Sequence, residues 1–147
     1  MPHTITLDAA QPQLAAQEAA TLLTDLLGEE EGVSPLSARG RRRVRIDQLL
    51  RAEARIDAAL ELIALRLPRW SLRRLAYDDG EWHCALSQQR EMPDWLDHCA
   101  EATHSDLSLA ILHAAVEAQR LEPQPAPGSG RHAAEPDLAA LLCCDNF

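Results

Sequence analysis

Apolar positions along the chain fall into segments with distinct periods, separated by clusters of polar residues, glycine and proline. Thr4-Ile5-Thr6-Leu7 alternates and predicts a short edge strand. Pro12 can occupy a first helical turn. Beyond it Ala16, Ala19, Ala20, Leu23, Leu26 and Leu27 recur at helical spacing until Gly28 supplies a C-terminal cap. Residues 28–40, with Gly32, Pro35 and Gly40, read as a loop. The strongest rhythm covers about 45–67. There Ile46, Leu49, Ile56, Leu60, Ile63 and Leu67 alternate three- and four-residue steps and predict one long helix, closed by Pro68. Glu53 interrupts its seam.

Trp70–Tyr77 and Glu81–Ser87 flank Asp78-Asp79-Gly80 and predict a β-hairpin. A three-residue loop with Gly80 left-handed would place Trp70, Leu72 and Ala76 on one face with Trp82, Cys84 and Leu86. A two-residue Asp79-Gly80 loop would instead pair Tyr77 with Trp82 and set Arg73 opposite Leu86. The first is expected, because it keeps arginine off the apolar face. Residues 93–102 predict a short helix opened by Pro93, with Trp95, Leu96 and Cys99 inward. A second long helix is expected over about 105–120, with Thr103 and Asp106 as its start signal. It is apolar on most sides and therefore central. Glu122–Pro136 reads as a flexible Pro/Gly-rich linker, and 137–147 has room for a helical turn or two.

The elements specify an α+β fold: helix, β-hairpin, helices, with a small antiparallel sheet packed against long helices and room for a third strand. A chain of 147 residues has space for little more than one core. Its expected organisation is an N-terminal helix and acidic loop over 1–40, an αββα core over 41–121, and a linker and tail over 122–147. Apolar residues make up 46% and charged residues 25%, which excludes wholesale disorder. No run is long enough to span a bilayer and no secretion leader is visible, so a cytoplasmic protein without membrane contact is expected. The four cysteines (84, 99, 143 and 144) suggest no disulfide framework, which fits a reducing compartment. All 14 basic residues are arginine, a mark of a GC-rich bacterial genome.

Charge is uneven, and this changes the picture. Residues 1–35 carry six acids and no arginine, 36–74 carry eleven arginines against four acids, and 75–147 carry three arginines against thirteen acids. Arg39, Arg41, Arg42, Arg43 and Arg45 form one dense basic arm that would attract phosphate or an acidic protein surface. Positive charge opposes the dipole at a helix start, so the helix is expected to begin only where this arm ends. Folding back onto Glu29–Glu31 would neutralise the arm. With a net charge of −9 and no aromatics among the arginines, nucleic acid is the second reading rather than the first.

Other constellations have ordinary explanations. His83-Cys84 and His98-Cys99 suggest zinc, but adjacent strand residues point to opposite faces and neither doublet has ligand spacing. Core packing is the expectation, with no metal and no cofactor. Cys99 beside His104 and Asp106 could be drawn as a nucleophile with its base, though no signature surrounds it. Asp78 and Asp79 suit a turn better than acid/base work. Trp70, Trp82 and Trp95 are expected to fill the core, and Cys143-Cys144 to be incidental thiols. No glycine-rich phosphate loop is present.

Trp70-Ser71-Leu72 through Gly80-Glu81-Trp82-His83-Cys84-Ala85-Leu86, between the seam helix and Leu109-Ala110-Ile111-Leu112-His113-Ala114, resembles small uncharacterised proteobacterial proteins and the phage-type ABA sandwich domains. The resemblance covers residues 46–120 and implies an α-β-β-α order, with no active site to carry over. The functional expectation is a non-enzymatic bacterial accessory or regulatory protein that contacts another protein or a second copy. Its contact residues would be Arg39, Arg41, Arg42, Arg43, Arg45 and Glu53. A nucleic-acid-binding arm is one alternative, and a small thiol- or metal-dependent enzyme is another.

Overall fold

A computed structural model describes residues 10–29, 32–89, 91–93 and 95–123. The expected strand at Thr4–Leu7, nearly all of the Pro/Gly-rich linker, the 137–147 tail and Cys143-Cys144 lie outside the described residues. The chain runs α1 (Ala10–Leu27), α2 (Ala38–Arg51), α3 (Arg55–Arg66), β1 (Ser71–Asp78), β2 (Glu81–Ser87), β3 (Ala100–His104) and α4 (Leu107–Leu121). Among the described residues four helices flank an antiparallel sheet in the order β1-β2-β3, an α+β fold. Among the described residues no helix is long and apolar enough to cross a membrane.

The single helix expected over 45–67 is two helices. Residues 52–54 form the break: Ala54 N–H donates to Leu49 C=O at 2.9 Å and Glu53 N–H to Leu50 C=O at 3.0 Å. These bonds close a Schellman turn, whose left-handed position favours glycine. Glu53 occupies that position with φ +58°. A carboxylate side chain there strains the backbone. Glu53→Gly is expected to raise stability by about 0.5–1 kcal/mol, read by urea unfolding, because relief of the left-handed strain exceeds the added entropy of the unfolded chain.

α2 also starts earlier than the dipole argument allows, so Arg39–Arg45 is helix and not an extended arm leading into one. Ser37 caps it, its Oγ accepting from Gly40 N–H at 3.0 Å. An N-cap contributes about 1 kcal/mol, enough to offset a cationic first turn whose arginines find local acceptors.

The hairpin uses the shorter loop, not the three-residue one. Asp78 pairs with Glu81 and Tyr77 with Trp82, while Asp79 (φ +48°) and Gly80 (φ +84°) make the two-residue turn. Two successive left-handed residues are what a type I′ Asp-Gly turn requires. The objection to this register disappears through a β-bulge between Leu72 and Arg74, which brings Leu72 rather than Arg73 opposite Leu86. One sheet face then carries Leu72, Leu86 and Ala100, then Leu75, Cys84 and Ala102, then Tyr77, Trp82 and His104.

Residues 100–104 are a strand, not the end of a helix over 93–102. Ala100 is buried, Glu101 exposed, Ala102 half-buried and Thr103 exposed, an alternation of period two. Only one turn forms after Pro93, where Leu96 N–H reaches Pro93 C=O at 2.9 Å. α4 is capped by Asp106, which accepts from Leu109 N–H at 3.1 Å, three residues beyond the expected Thr103 start. It lies between the sheet and the α1/α3 layer, with Ser108–Leu112, Ala114, Ala115 and Ala118 buried. Ala19, Leu23, Ile46, Leu62, Leu86 and Trp70 complete the core around it. Trp95 is 81% exposed and does not join that core.

Candidate functional site

α2 is the outermost layer. It packs on α3 with Ile46 buried in the core, and its arginines divide by helical face. Arg43 turns toward the C-terminal end of α1, where its guanidinium donates to Leu27 C=O at 3.2 Å and Gly28 C=O at 2.6 Å. Those carbonyls have no partner within their own helix, so Arg43 is a cationic C-cap for α1. Arg42 and Arg45 converge on one carboxylate: Glu61 of α3 lies 3.4 Å from the first and 3.1 Å from the second. Arg41 donates to Leu36 C=O, and Arg51 pairs with Asp47 at 2.8 Å on the outer face. Arg39 is exposed. The expected neutralisation by Glu29–Glu31 is replaced, for Arg42 and Arg45, by Glu61; Glu30 and Glu31 lie outside the described residues. Glu53 is exposed at the α2–α3 turn.

Between α2 and α3 runs an open cleft of about 480 Å³ lined by Arg42, Arg45, Leu49, Asp57, Leu60, Glu61 and Ala64. Its floor is apolar: Leu49 is half-buried, Leu60 is 37% exposed, and Ala64 is exposed. Beside it Ala38, Arg41, Val44 and Gln48 continue the surface around Arg42 and Arg45. The expected seam is therefore divided. Ile46, Ile63 and Leu67 face the core, while Ile56 and Leu60 face solvent. α2 as a whole carries six arginines and one acid, Asp47. Around the cleft and the surface beside it Arg41, Arg42 and Arg45 face the carboxylates of Asp57 and Glu61, which leaves a small positive excess over an apolar floor.

A second polar cluster sits on the opposite side of the sheet, and sequence patterns gave no hint of it. The Asp97 side chain is only 3% exposed. Its carboxylate accepts from the Ser87 hydroxyl, from Arg73 and, at 3.4 Å, from the Cys99 thiol. Arg73 also donates to Met92 C=O at 2.9 Å, and Gln89 N–H to Ser87 Oγ at 3.0 Å. The Ser87 hydrogen bond first, and the others with it, hold the Asp97 carboxyl below the usual range against the opposing effect of burial. The group ties the 88–99 segment to β1 and β2. Nothing periodic marks it in the sequence, since its members come from a bulge, a strand end and a turn.

The thiol chemistry drawn from the sequence does not assemble. Burial raises the Cys99 thiol pKa, and Asp97 raises it further. Cys84 is pushed up to about 11 by burial. Both thiols stay protonated at neutral pH, the unreactive form. His104 Nδ1 accepts from Asp106 N–H at 2.9 Å, so these two residues serve the start of α4. Burial raises the Asp106 pKa, but hydrogen bonds from Ser108 and Leu109 more than offset it, leaving the carboxyl below its usual value. His83 and Cys84 fall on opposite faces of the sheet. Among the described residues no three His, Cys, Asp or Glu side chains gather as metal ligands.

Comparison of the chain with models of known protein families, with curated proteins and with solved structures finds no match.

Proposed function

We propose that this is a non-enzymatic accessory or regulatory protein that works by docking an acidic, partly apolar segment of another protein onto the α2–α3 cleft. One observation carries the reading: three guanidinium groups, those of Arg41, Arg42 and Arg45, border an apolar floor against two carboxylates, Asp57 and Glu61. Arg42 and Arg45 share a single carboxylate, and Leu49, Leu60 and Ala64 lie between the helices. A partner carboxylate would relieve the charge crowding at the N-terminal half of α2, where the helix dipole already disfavours cations. Its neighbouring apolar side chains would cover the floor. A nucleic-acid backbone satisfies the first need and leaves the second unmet, so a protein partner is favoured.

The test is co-purification from the native host by the wild-type chain and by Arg42→Glu/Arg45→Glu, with intact-mass measurement of each complex. The expected result is a stoichiometric protein partner whose measured affinity falls about tenfold or more with the charge reversal. Binding to duplex DNA instead, with affinity falling steeply as salt rises, would overturn the reading in favour of nucleic acid.

A further inference from the structure

Among the described residues β1 is an edge strand, and its helix-side face is not fully covered. α4 lies across β3 and β2. On the face that carries the core, Cys84 of β2 is buried, yet its cross-strand partner Leu75 is 36% exposed and Tyr77 is 60% exposed. Tyr77 leans on Trp82, ring centroids 5.0 Å apart, which extends the apolar patch to the neighbouring strand. A long, partly apolar edge with open main-chain groups is what native proteins usually blunt with charge, proline or a covering element.

The turn fixes which backbone groups are open. A two-residue loop closes on a hydrogen-bonded pair, here Asp78 with Glu81, and such pairs alternate along an antiparallel ladder. Ala76 and Arg74 therefore spend their N–H and C=O groups on β2. Leu75 and Tyr77 present theirs to the open edge.

From this we infer that β1 pairs antiparallel with β1 of a second copy, making a symmetric dimer with one continuous sheet. Only registers that set Leu75 or Tyr77 opposite Leu75 or Tyr77 of the second copy satisfy the outward backbone groups. Centring the two-fold axis on Ala76 places Leu75 against Tyr77 of the second copy in reciprocal hydrogen-bonded pairs. That register also sets Arg74 against Asp78 of the second copy, twice by symmetry, both on the opposite sheet face. Sliding the axis to Leu75 puts Arg74 opposite Ala76, and sliding it to Tyr77 puts Asp78 opposite Ala76, so each loses the ion pairs. Arg74 is available for this. It is 63% exposed and only loosely placed, 3.8 Å from Glu101. The edge is thus self-complementary in backbone, apolar contact and charge. This inference does not rest on the α2–α3 reading.

The test is sedimentation velocity of the full chain across a dilution series, with amide hydrogen exchange at both ends of it. The wild type is expected to dimerise, and Leu75 and Tyr77 amides to gain protection with concentration while Ala76 stays protected throughout. Arg74→Asp brings like charges together at both ends and should weaken the dimer about tenfold or more. Arg74→Asp/Asp78→Arg should restore it, which a merely misfolded variant would not. A chain that stays monomeric overturns the inference, including the case in which residues 4–7 cap β1 within the same molecule. So does a dimer indifferent to Arg74→Asp whose Leu75 and Tyr77 amides exchange freely.

Discussion

Trp70→Ala is expected to lower the unfolding free energy by about 3–5 kcal/mol, a large share of the 5–15 kcal/mol typical of a domain. Trp70 is buried in the core cluster just ahead of β1. Its indole N–H donates to Glu122 at 2.9 Å, which ties the C-terminal end of α4 to the start of the sheet. Truncation to alanine removes the ring, leaves a cavity and frees that end of α4. Trp70→Phe keeps most of the volume and loses the hydrogen bond, so about 1 kcal/mol of additional loss separates the bond from the packing. Trp95→Ala, by contrast, should stay within about 0.5 kcal/mol of the wild type, because the indole is exposed. Urea unfolding of the three variants reads all of this. Equal effects at Trp70 and Trp95 would contradict the core described above.

The second large effect is at Asp97, and it carries a pH signature. Its carboxyl is held below the usual range chiefly by the Ser87 hydroxyl, with Cys99 and Arg73 adding to this. A carboxyl depressed in the folded state contributes stability that is fully present above its unfolded value, near 3.9, and is lost as pH falls through the lower folded value. Stability should thus hold from pH 7 to about 5 and then fall in acid. Asp97→Ala should be destabilised at pH 7, since it removes the carboxylate that accepts from the buried Ser87 hydroxyl and from Arg73. It should also show a shallower acid fall than the wild type. Thermal unfolding across pH 3–7 measures both; an acid limb unchanged by the substitution would refute this role.

Much of the fold was legible because it rests on long apolar periods. The α1 stripe ending at Gly28, the hairpin and the nearly all-apolar α4 follow from spacing alone. What the periods concealed were places where one residue resets the phase. Glu53 in a left-handed conformation divides an otherwise continuous seam, although a long side chain is an unlikely marker for such a turn. The bulge at Arg73 shifts the hairpin by one residue, so an unbroken alternation points to the longer loop while the chain uses the shorter one. β3 is short, and the apolar residues before it mimic a helical stripe.

The arginine cluster was visible by composition, yet its division was not. Which guanidinium caps α1 and which overhangs the cleft depends on helix phase, and that phase is set by the Ser37 cap ahead of the cluster. Gly40 shows why it begins sooner. An added Cβ would lie 2.0 Å from Ser34 O, so the Ser34–Pro35 turn crosses tightly over the first turn of α2. Gly40→Ala, normally stabilising inside a helix, should here cost about 1–3 kcal/mol.

The most direct measurement is the affinity of the co-purified partner for Leu60→Ser, a substitution that leaves every charge in place. Docking of a protein segment onto the apolar floor predicts about a tenfold or greater loss, comparable to the charge reversal at Arg42 and Arg45. Undiminished binding by Leu60→Ser, together with loss by Arg42→Glu/Arg45→Glu, would contradict it and leave an electrostatic surface for polyanions.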